Sequence, residues 1–279
     1  VYSFKKSSDL ISYLQGFYGH KSIGFVPTMG ALHSGHISLI DAALKSSDIV
    51  VCSIFVNPTQ FNNENDLATY PKTIGNDLKL LANAGCHVVY LPDVSDIYQT
   101  PPMNYDLSAY GIITKVLESE KRPGHFNGVI DVVTRLFNIV KPNQVFFGQK
   151  DYQQCMVVKK LIELNNWSIQ FNMCPLVREL DGLAMSSRNI RLNPQERENA
   201  LALFKTLNFI KSHWPGSPLE ITELAFNYIA QFRQVEVEYI AICHPYTLEK
   251  LQHPLPKAVA LIAAQVGSTR LIDNMILGN

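Results

Sequence analysis

His33 and His36 stand three residues apart, with Gly35 between them, in the segment Pro27-Thr28-Met29-Gly30-Ala31-Leu32-His33-Ser34-Gly35-His36. An apolar run at 23–26 precedes the segment and a helical pattern at 37–45 follows it. The histidines therefore sit where a strand hands over to a helix N-terminus. Free backbone N–H groups and the positive end of the helix dipole favour an anion there, phosphate above all. Imidazoles at that place add donors and stabilise charge that develops on the anion. An HxxH spacing by itself also fits two ordinary helix or loop histidines. The buried strand, the Pro-Thr-Met-Gly turn and the helix around it are what a phosphate-handling nucleotide site needs. Zinc fits poorly, because no cysteine pair or second histidine pair lies at ligand spacing nearby.

Three further segments carry chemistry. Residues 53–61 follow a second apolar run and bring Asn57 and Gln60 to a strand's carboxyl end, where amides hydrogen-bond a small polar substrate. A plain Asn-Pro turn is the alternative. In 146–154, Gly148 permits close backbone approach, Lys150 is a point cation for phosphate and Asp151 accepts from ribose hydroxyls. Gln154 lies one turn beyond Lys150 and faces the same pocket. A Lys-Asp pair in a first helical turn is otherwise a solvated surface pair. Residues 181–189 lack helix or strand periodicity and read as a loop or a polar interdomain linker. As a loop, Ser186, Ser187 and Arg188 suit a triphosphate.

The elements that must position these groups alternate along the first two thirds of the chain. Strands are expected at 23–26, 49–56, 87–91, 144–147 and 168–173, and helices near 38–46, 74–84, 129–140 and 152–164. Short, near-continuous apolar strands between helices signal a parallel sheet covered on both faces. This is an α/β, Rossmann-like, doubly wound fold, which binds ligands at the carboxyl ends of its strands. Residues 92–128 interrupt the rhythm as a cover over that edge. After Arg191 the pattern changes: Asn193 caps a helix with Pro194 at its first position, residues 215–218 break it, and a helix follows near 219–231. Runs at 235–242, 258–264 and 270–276 read as a small antiparallel sheet. The division is 1–175, a Rossmann-like nucleotide-binding domain, and 176–279, a smaller α+β domain closing over the nucleotide site.

The chain has 279 residues, 47% hydrophobic and 17% charged, with 24 basic and 24 acidic side chains and no formal net charge. That balance argues against a nucleic-acid partner. No apolar stretch reaches the roughly 20 residues of a membrane span, and no signal peptide is read at the start. Five widely spaced cysteines, mostly in apolar runs, read as buried free thiols of a cytoplasmic protein.

The stretches FVPTMGALHSGH, SIFVNPTQF, ATYPKT, KRPGHFNGV, VFFGQKDYQQ and DGLAMSSRN follow one another in an order and spacing that resemble the pantoate–β-alanine ligases. These are adenylate-forming members of the nucleotidyltransferase-like, HxGH-bearing group. The match runs from about residue 20 to 195 and is far more specific than the histidine motif alone. The resemblance implies that pantoate attacks the α-phosphate of ATP to give pantoyl adenylate and pyrophosphate, and that β-alanine then displaces AMP. It implies that His33 and His36 contact the phosphates, with Lys150 as cationic clamp and Ser186, Ser187 and Arg188 on the other side. Gly148, Asp151, Val177 and Met185, with Met29, would complete the ATP site. Gln60 and Gln154 would hydrogen-bond pantoate, while Pro27, Met29 and Phe147 pack its dimethyl group. His125 and Gln60 would face β-alanine. Asp77 would lie near magnesium (Mg2+), although the neighbouring Asn76 supplies no second charge. A homodimer is implied, with 47–56 as a contact region, and the 57–70 loop is polar enough to close over the intermediate.

Other members of the group share His33, Gly35 and His36. A transferase acting on a phosphorylated substrate would need a further cationic site, whereas Gln60 and Gln154 suit an uncharged diol. A tRNA-charging enzyme would need a basic anticodon-reading domain. A nucleotide-binding module without turnover has no use for the full set of phosphate-facing side chains.

Overall fold

In the computed structural model, which describes residues 1–62 and 64–278, the chain begins with β1 (Tyr2–Phe4), α1 (Ser7–Gln15), β2 (Ile23–Thr28), α2 (Ser34–Leu44) and β3 (Ile49–Ile54). Then come α3 (Glu64–Ala68), α4 (Ile74–Asn83), β4 (Val88–Tyr90), α5 (Val94–Ile97), α6 (Glu118–Lys121) and α7 (His125–Val140). The parallel sheet is completed by β5 (Gln144–Gly148) and β6 (Gln170–Cys174), with α8 (Tyr152–Leu164) between them. Two long helices, α9 (Pro194–His213) and α10 (Pro218–Ile229), precede β7 (Val235–Cys243), β8 (Lys257–Val266) and β9 (Thr269–Gly278).

Successive residues of a strand point to opposite faces, so a strand apolar throughout must be covered twice. Ile23, Phe25, Ile49, Val51, Val88, Tyr90, Val145 and Phe147 pack with α1, α7 and α8 on one face. Val26, Val50, Cys52, Ile54, Val89 and Phe146 pack with α2 and α4 on the other. Fully buried side chains such as Phe25 and Ile130 each contribute about 1.5–3 kcal/mol by leaving water. All pairings in this sheet are parallel, in the order β1-β4-β3-β2-β5-β6. The order reverses between β2 and β5, which opens a crevice at their carboxyl ends. The doubly wound sheet expected from the periodicity is therefore present.

Of the expected 47–56 contact region, residues 49–54 are an interior strand, while Asp48 before it is exposed. Every residue of β3 is buried, with β2 on one side and β4 on the other, so that strand has no face to offer a second copy. β1 and α1 were not expected. β1 is three residues long and mostly exposed, so it carries no alternation to read.

The C-terminal strands form an antiparallel sheet, β7-β8-β9. One face, including Ile240, Ile242, Ala260 and Ile262, packs on α9 and α10. The other, including Ala241, Cys243, Val259 and Leu261, joins the core shared with α7 and α8. The helix cap expected at Asn193 is a reciprocal capping box: Asn193 Oδ1 accepts from Glu196 N at 2.9 Å and Glu196 Oε2 from Asn193 N at 3.0 Å. Within 92–128 lie α5, a 3-10 stretch (Leu107–Thr114) and α6, and Tyr110, Ile113 and Leu117 seat this segment on the main core.

Glu118 ties that segment to the small sheet. Its carboxylate accepts from Arg270 Nη1 and Nη2 at 2.8 and 2.7 Å and from the Tyr239 hydroxyl at 2.7 Å.

Candidate active site

A cavity of about 230 Å3 opens at the β2/β5 crevice. Its wall includes Pro27, Met29, His33, His36, Gln60, His125, Phe147, Gly148, Lys150, Asp151, Gln154, Val177, Met185, Ser186, Ser187 and Arg188. The structure thus brings together every site residue expected from the sequence except Asp77.

The histidine pair begins with a turn that only certain residues allow. Thr28 Oγ1 donates to Ser53 O at 2.7 Å and accepts from Gly30 N at 3.2 Å, while Gly30 takes φ +82°. A Cβ at Gly35 would stand 2.9 Å from His33 Cε1, so glycine is needed there for the His33 ring to lie over the first turn of α2. His33 is the N-cap residue, and the two rings form a capping box in place of the usual hydroxyl and carboxylate. His33 Nδ1 accepts from Gly35 N at 3.2 Å, and His36 Nδ1 accepts from His33 N at 3.3 Å.

This arrangement differs from the open helix end expected from the sequence. Two of the backbone N–H groups are taken by ring nitrogens, and what reaches the cavity is the imidazoles. With Nδ1 accepting, a neutral ring carries its proton on Nε2, so each histidine is a donor. Burial, then the Lys150 charge, lowers the His33 pKa to about 4 despite opposing pulls from Asp151 and Glu179. Burial, His33 and Lys150 together lower that of His36 to about 3. Both rings are therefore neutral donors near pH 7.

Lys150 sits in a 3-10 turn (Gln149–Asp151) between β5 and α8. Its ammonium approaches Asp151 Oδ1 at 3.5 Å, too long for a firm hydrogen bond. Burial pushes the Asp151 carboxyl up, but Lys150, Arg188 and Arg122 outweigh it and hold the group below the usual carboxylate range. On the far wall, Ser187 Oγ donates to Ala31 O at 3.0 Å and Ser186 Oγ accepts from Arg188 N at 3.2 Å. Arg188 reaches across to α3, donating to Asp66 Oδ2 at 2.8 Å, and Arg191 binds the same carboxylate at 2.9 Å. The 57–70 segment is thus tied to the serine loop. Asn63, within that segment, lies outside the described residues, as does Asn279.

The amide end of the cavity is built on Asn57. Its Nδ2 donates to Gly128 O at 3.1 Å and to Gln60 Oε1 at 3.2 Å, and its Oδ1 accepts from the Tyr98 hydroxyl at 2.7 Å. Gln60 Nε2 in turn donates to Met29 Sδ at 2.9 Å. The Gln154 amide has no hydrogen-bond partner among the described residues and faces the cavity. The Gln60 carbonyl accepts from His125 Nδ1 at 2.8 Å and from Arg122 Nη2 at 3.2 Å. His125 therefore carries its proton on Nδ1 and leaves Nε2 an acceptor, the opposite tautomer to His33 and His36. Burial, with Arg122 adding to it, lowers its pKa to about 4.

Asp77 requires correction. It is fully buried in α4, beneath the histidine turn, and is not part of the cavity wall. Its carboxylate accepts from Ala31 N at 3.0 Å, Leu32 N at 2.9 Å and Thr73 Oγ1 at 2.9 Å. A carboxylate so occupied shapes the loop and does not fit magnesium, which demands near-ideal octahedral oxygen ligation. Sequence reasoning also missed Asp273 and Asn274, which line the cavity from β9. A polar dipeptide inside the apolar run Leu271-Ile272 … Met275-Ile276 was the signal available.

Fold and site define an α/β enzyme with a crevice at its topological switch point and paired imidazole donors beside a lysine. The family model "Pantoate-beta-alanine ligase" matches residues 3–276, and the chain belongs to that family. It is 44% identical over 262 residues to the pantothenate synthetase of Cytophaga hutchinsonii, covering 92% of each chain. It is 45% identical over 264 residues to that of Thermotoga neapolitana, again over 92% of each. Among solved structures, pantothenate synthetase from Thermus thermophilus superposes with a TM-score of 0.92 at 34% identity, over 99% of both chains. The pantoate–β-alanine ligase of Francisella tularensis, complexed with "Beta-gamma ATP" and β-alanine, gives 0.82 at 35% identity, over 99% of this chain and 97% of that one.

Proposed function

We propose that this chain joins (R)-pantoate to β-alanine at the expense of ATP, through a pantoyl-adenylate intermediate. The observation that carries the reading is the cavity itself, which places three cation or donor groups (His33, His36, Lys150) beside an amide-and-apolar end (Gln60, Gln154, Met29, Phe147). The Francisella relative, solved with an ATP compound and β-alanine, supports the same pair of ligands here.

In the first half-reaction a pantoate carboxylate oxygen forms a bond to the α-phosphorus, and the bond to the β-phosphate bridging oxygen breaks. Charge grows on the phosphate oxygens and on the departing pyrophosphate. The Nε2–H groups of His33 and His36 and the Lys150 ammonium stabilise that charge without reorganising. Ser186, Ser187 and Arg188 hold the triphosphate from the opposite wall, and Gly148, Asp151, Val177 and Met185 hold the nucleoside. Gln60 and Gln154 bind the pantoate hydroxyls, with Pro27, Met29 and Phe147 against its methyl groups. In the second half-reaction the unprotonated β-alanine amine attacks the acyl carbon, the bond from that carbon to the AMP phosphate oxygen breaks so that AMP leaves, and the amine's proton passes to solvent. His125, with a pKa of about 4, accepts a hydrogen bond from the amine at Nε2 and orients it, but is too weak a base to hold its proton.

ATP enters as its magnesium complex, with the ion carried on the triphosphate. The division near residue 175, a homodimer and a cytoplasmic location are part of the same reading. The dimer is what the sequence resemblance implies, and light scattering of the purified protein decides it. The five cysteines, all free and buried, suit a reducing compartment.

The test is AMP release from ATP, magnesium and pantoate, with and without β-alanine. Steady AMP that needs both substrates, with pantothenate detected by mass, is the expected result. Pyrophosphate release with a different acid, and none with pantoate, overturns the substrate assignment.

A further inference from the structure

We infer that Asp273 and Asn274, consecutive residues of β9, are positioning residues that hold the two walls of the phosphate site in register: Asn274 sets the backbone of Lys150, and Asp273 sets the loop of Ser186 to Arg188. The inference rests on the phosphate role given above to Lys150 and Arg188.

Adjacent strand residues leave on opposite faces, so one dipeptide reaches both walls. Asn274 is 2% exposed. Its Nδ2 donates to Gln149 O at 2.9 Å and Lys150 O at 3.0 Å, and its Oδ1 accepts from Gln149 Nε2 at 3.0 Å. The Lys150 side chain has only the loose approach to Asp151 to fix it among the described residues. The location of its ammonium is therefore set by its backbone, and two carbonyls of that backbone turn are held by this one amide.

Asp273 faces the other way. Its carboxylate receives Arg178 Nη1 and Nη2 at 2.7 and 2.9 Å and the backbone N–H of Asn274 at 2.7 Å. Arg178 also donates to Gly182 O at 3.0 Å and lies 4.2 Å from the Phe204 ring centroid. A bridge between Arg178 and Ala184, and Met185 N donating to Val177 O at 3.0 Å, then fix the strand-like turn from which residues 185–188 depart.

A purely structural account of the pair is weaker. Polar side chains buried in an apolar strand lose hydration, and apolar replacements of similar volume often match or exceed them in stability. What apolar residues cannot supply is a fixed distance between two catalytic loops.

The experiment is a double-mutant cycle on pantoate-dependent pyrophosphate release, using Lys150→Ala, Asn274→Ala and both together, with thermal unfolding followed in each. Asn274→Ala in the otherwise native protein is expected to slow release on the order of 100-fold, because a displacement of about 1 Å in a catalytic group suffices for that. In the Lys150→Ala background the same change is expected to cost less than about threefold, since no ammonium remains to be placed. Equal losses in the two backgrounds overturn the positioning role. If Lys150→Ala releases pyrophosphate at the native rate, the phosphate role of Lys150 fails, and the inference with it. Asn274→Ser, which keeps one donor, is run in parallel and carries the cycle should the alanine variant not fold. Asp273→Asn against Arg188→Ala reads the second wall by the same criterion.

Discussion

At the scale of single residues, the site depends on which nitrogen of each imidazole holds the proton. His33 and His36 take backbone N–H groups at Nδ1, while His125 gives its Nδ1 proton to the Gln60 carbonyl. Long-range 1H–15N spectra at pH 7 are expected to show Nε2–H tautomers for the first two and Nδ1–H for the third. A charged ring at His33 or His36 would contradict the geometry, in which each Nδ1 accepts from a backbone N–H group; at His125 it would contradict the lowering of the pKa by burial. His36→Ala removes one donor aimed at the developing charge and is expected to slow pyrophosphate release by about 3 kcal/mol in activation free energy, with the fold retained. Release at a near-native rate would remove the residue from the phosphate site. The histidines were legible because type and spacing revealed them. Asp77 was misread because a carboxylate near a phosphate loop is equally fit to bind a metal or to cap backbone N–H groups, and only the fold shows which. Asp77→Asn is expected to destabilise by about 1–3 kcal/mol, through loss of a carboxylate acceptor. The magnesium concentration for half-maximal activity should stay the same, and a several-fold shift would restore the metal role.

At the scale of elements, close approaches place the amide end of the cavity. Gly128 lies where α7 meets the Asn57–Gln60 turn, and a Cβ there would overlap the Thr59 carbonyl. Gly128→Ala is expected to cost about 1–3 kcal/mol by forcing the two apart. The Michaelis constant for pantoate should rise as Gln60 shifts, and an unchanged constant would argue that the turn is not part of that subsite. Much of this level could be read directly. α8 runs over the residues its periodicity predicts, and the three C-terminal strands each extend the expected run by one to three residues. α7 starts at His125 and not at 129, because the first turn, after the left-handed Gly124, carries His125 and Asn127 where the apolar pattern has not yet begun. Helix ends set by backbone geometry leave no periodicity to detect.

At the scale of the whole molecule, burying neutral histidines makes stability depend on acid. The folded pKa of His125, about 4, lies below the ordinary 6.5, so between those values the unfolded chain binds a proton that the folded one refuses. Stability from this group is complete above pH 6.5 and falls as pH drops towards 4, by about 2 kcal/mol at pH 5. His33 and His36 act in the same direction. Urea unfolding at pH 7 and pH 5 is expected to show the loss, and His125→Asn, which keeps a donor for the Gln60 carbonyl, should make it shallower. An equal pH dependence in the variant would exclude His125 as a source. The contacts of Asn274 and Asp273 could not be read from sequence, since 124 residues separate Asn274 from Lys150 and local pattern carries no information over that span.

That separation has a consequence for how the enzyme comes into being. A ribosome adding roughly 5–20 residues each second makes the Lys150 turn on the order of ten seconds before it makes the strand that ties the turn down. Throughout that interval the nascent chain has its histidines, lysine and amides but lacks the brace between the two walls. A message cut short between the codons for Asn189 and Asp273 would yield a chain bearing all the recognisable motifs and no working site.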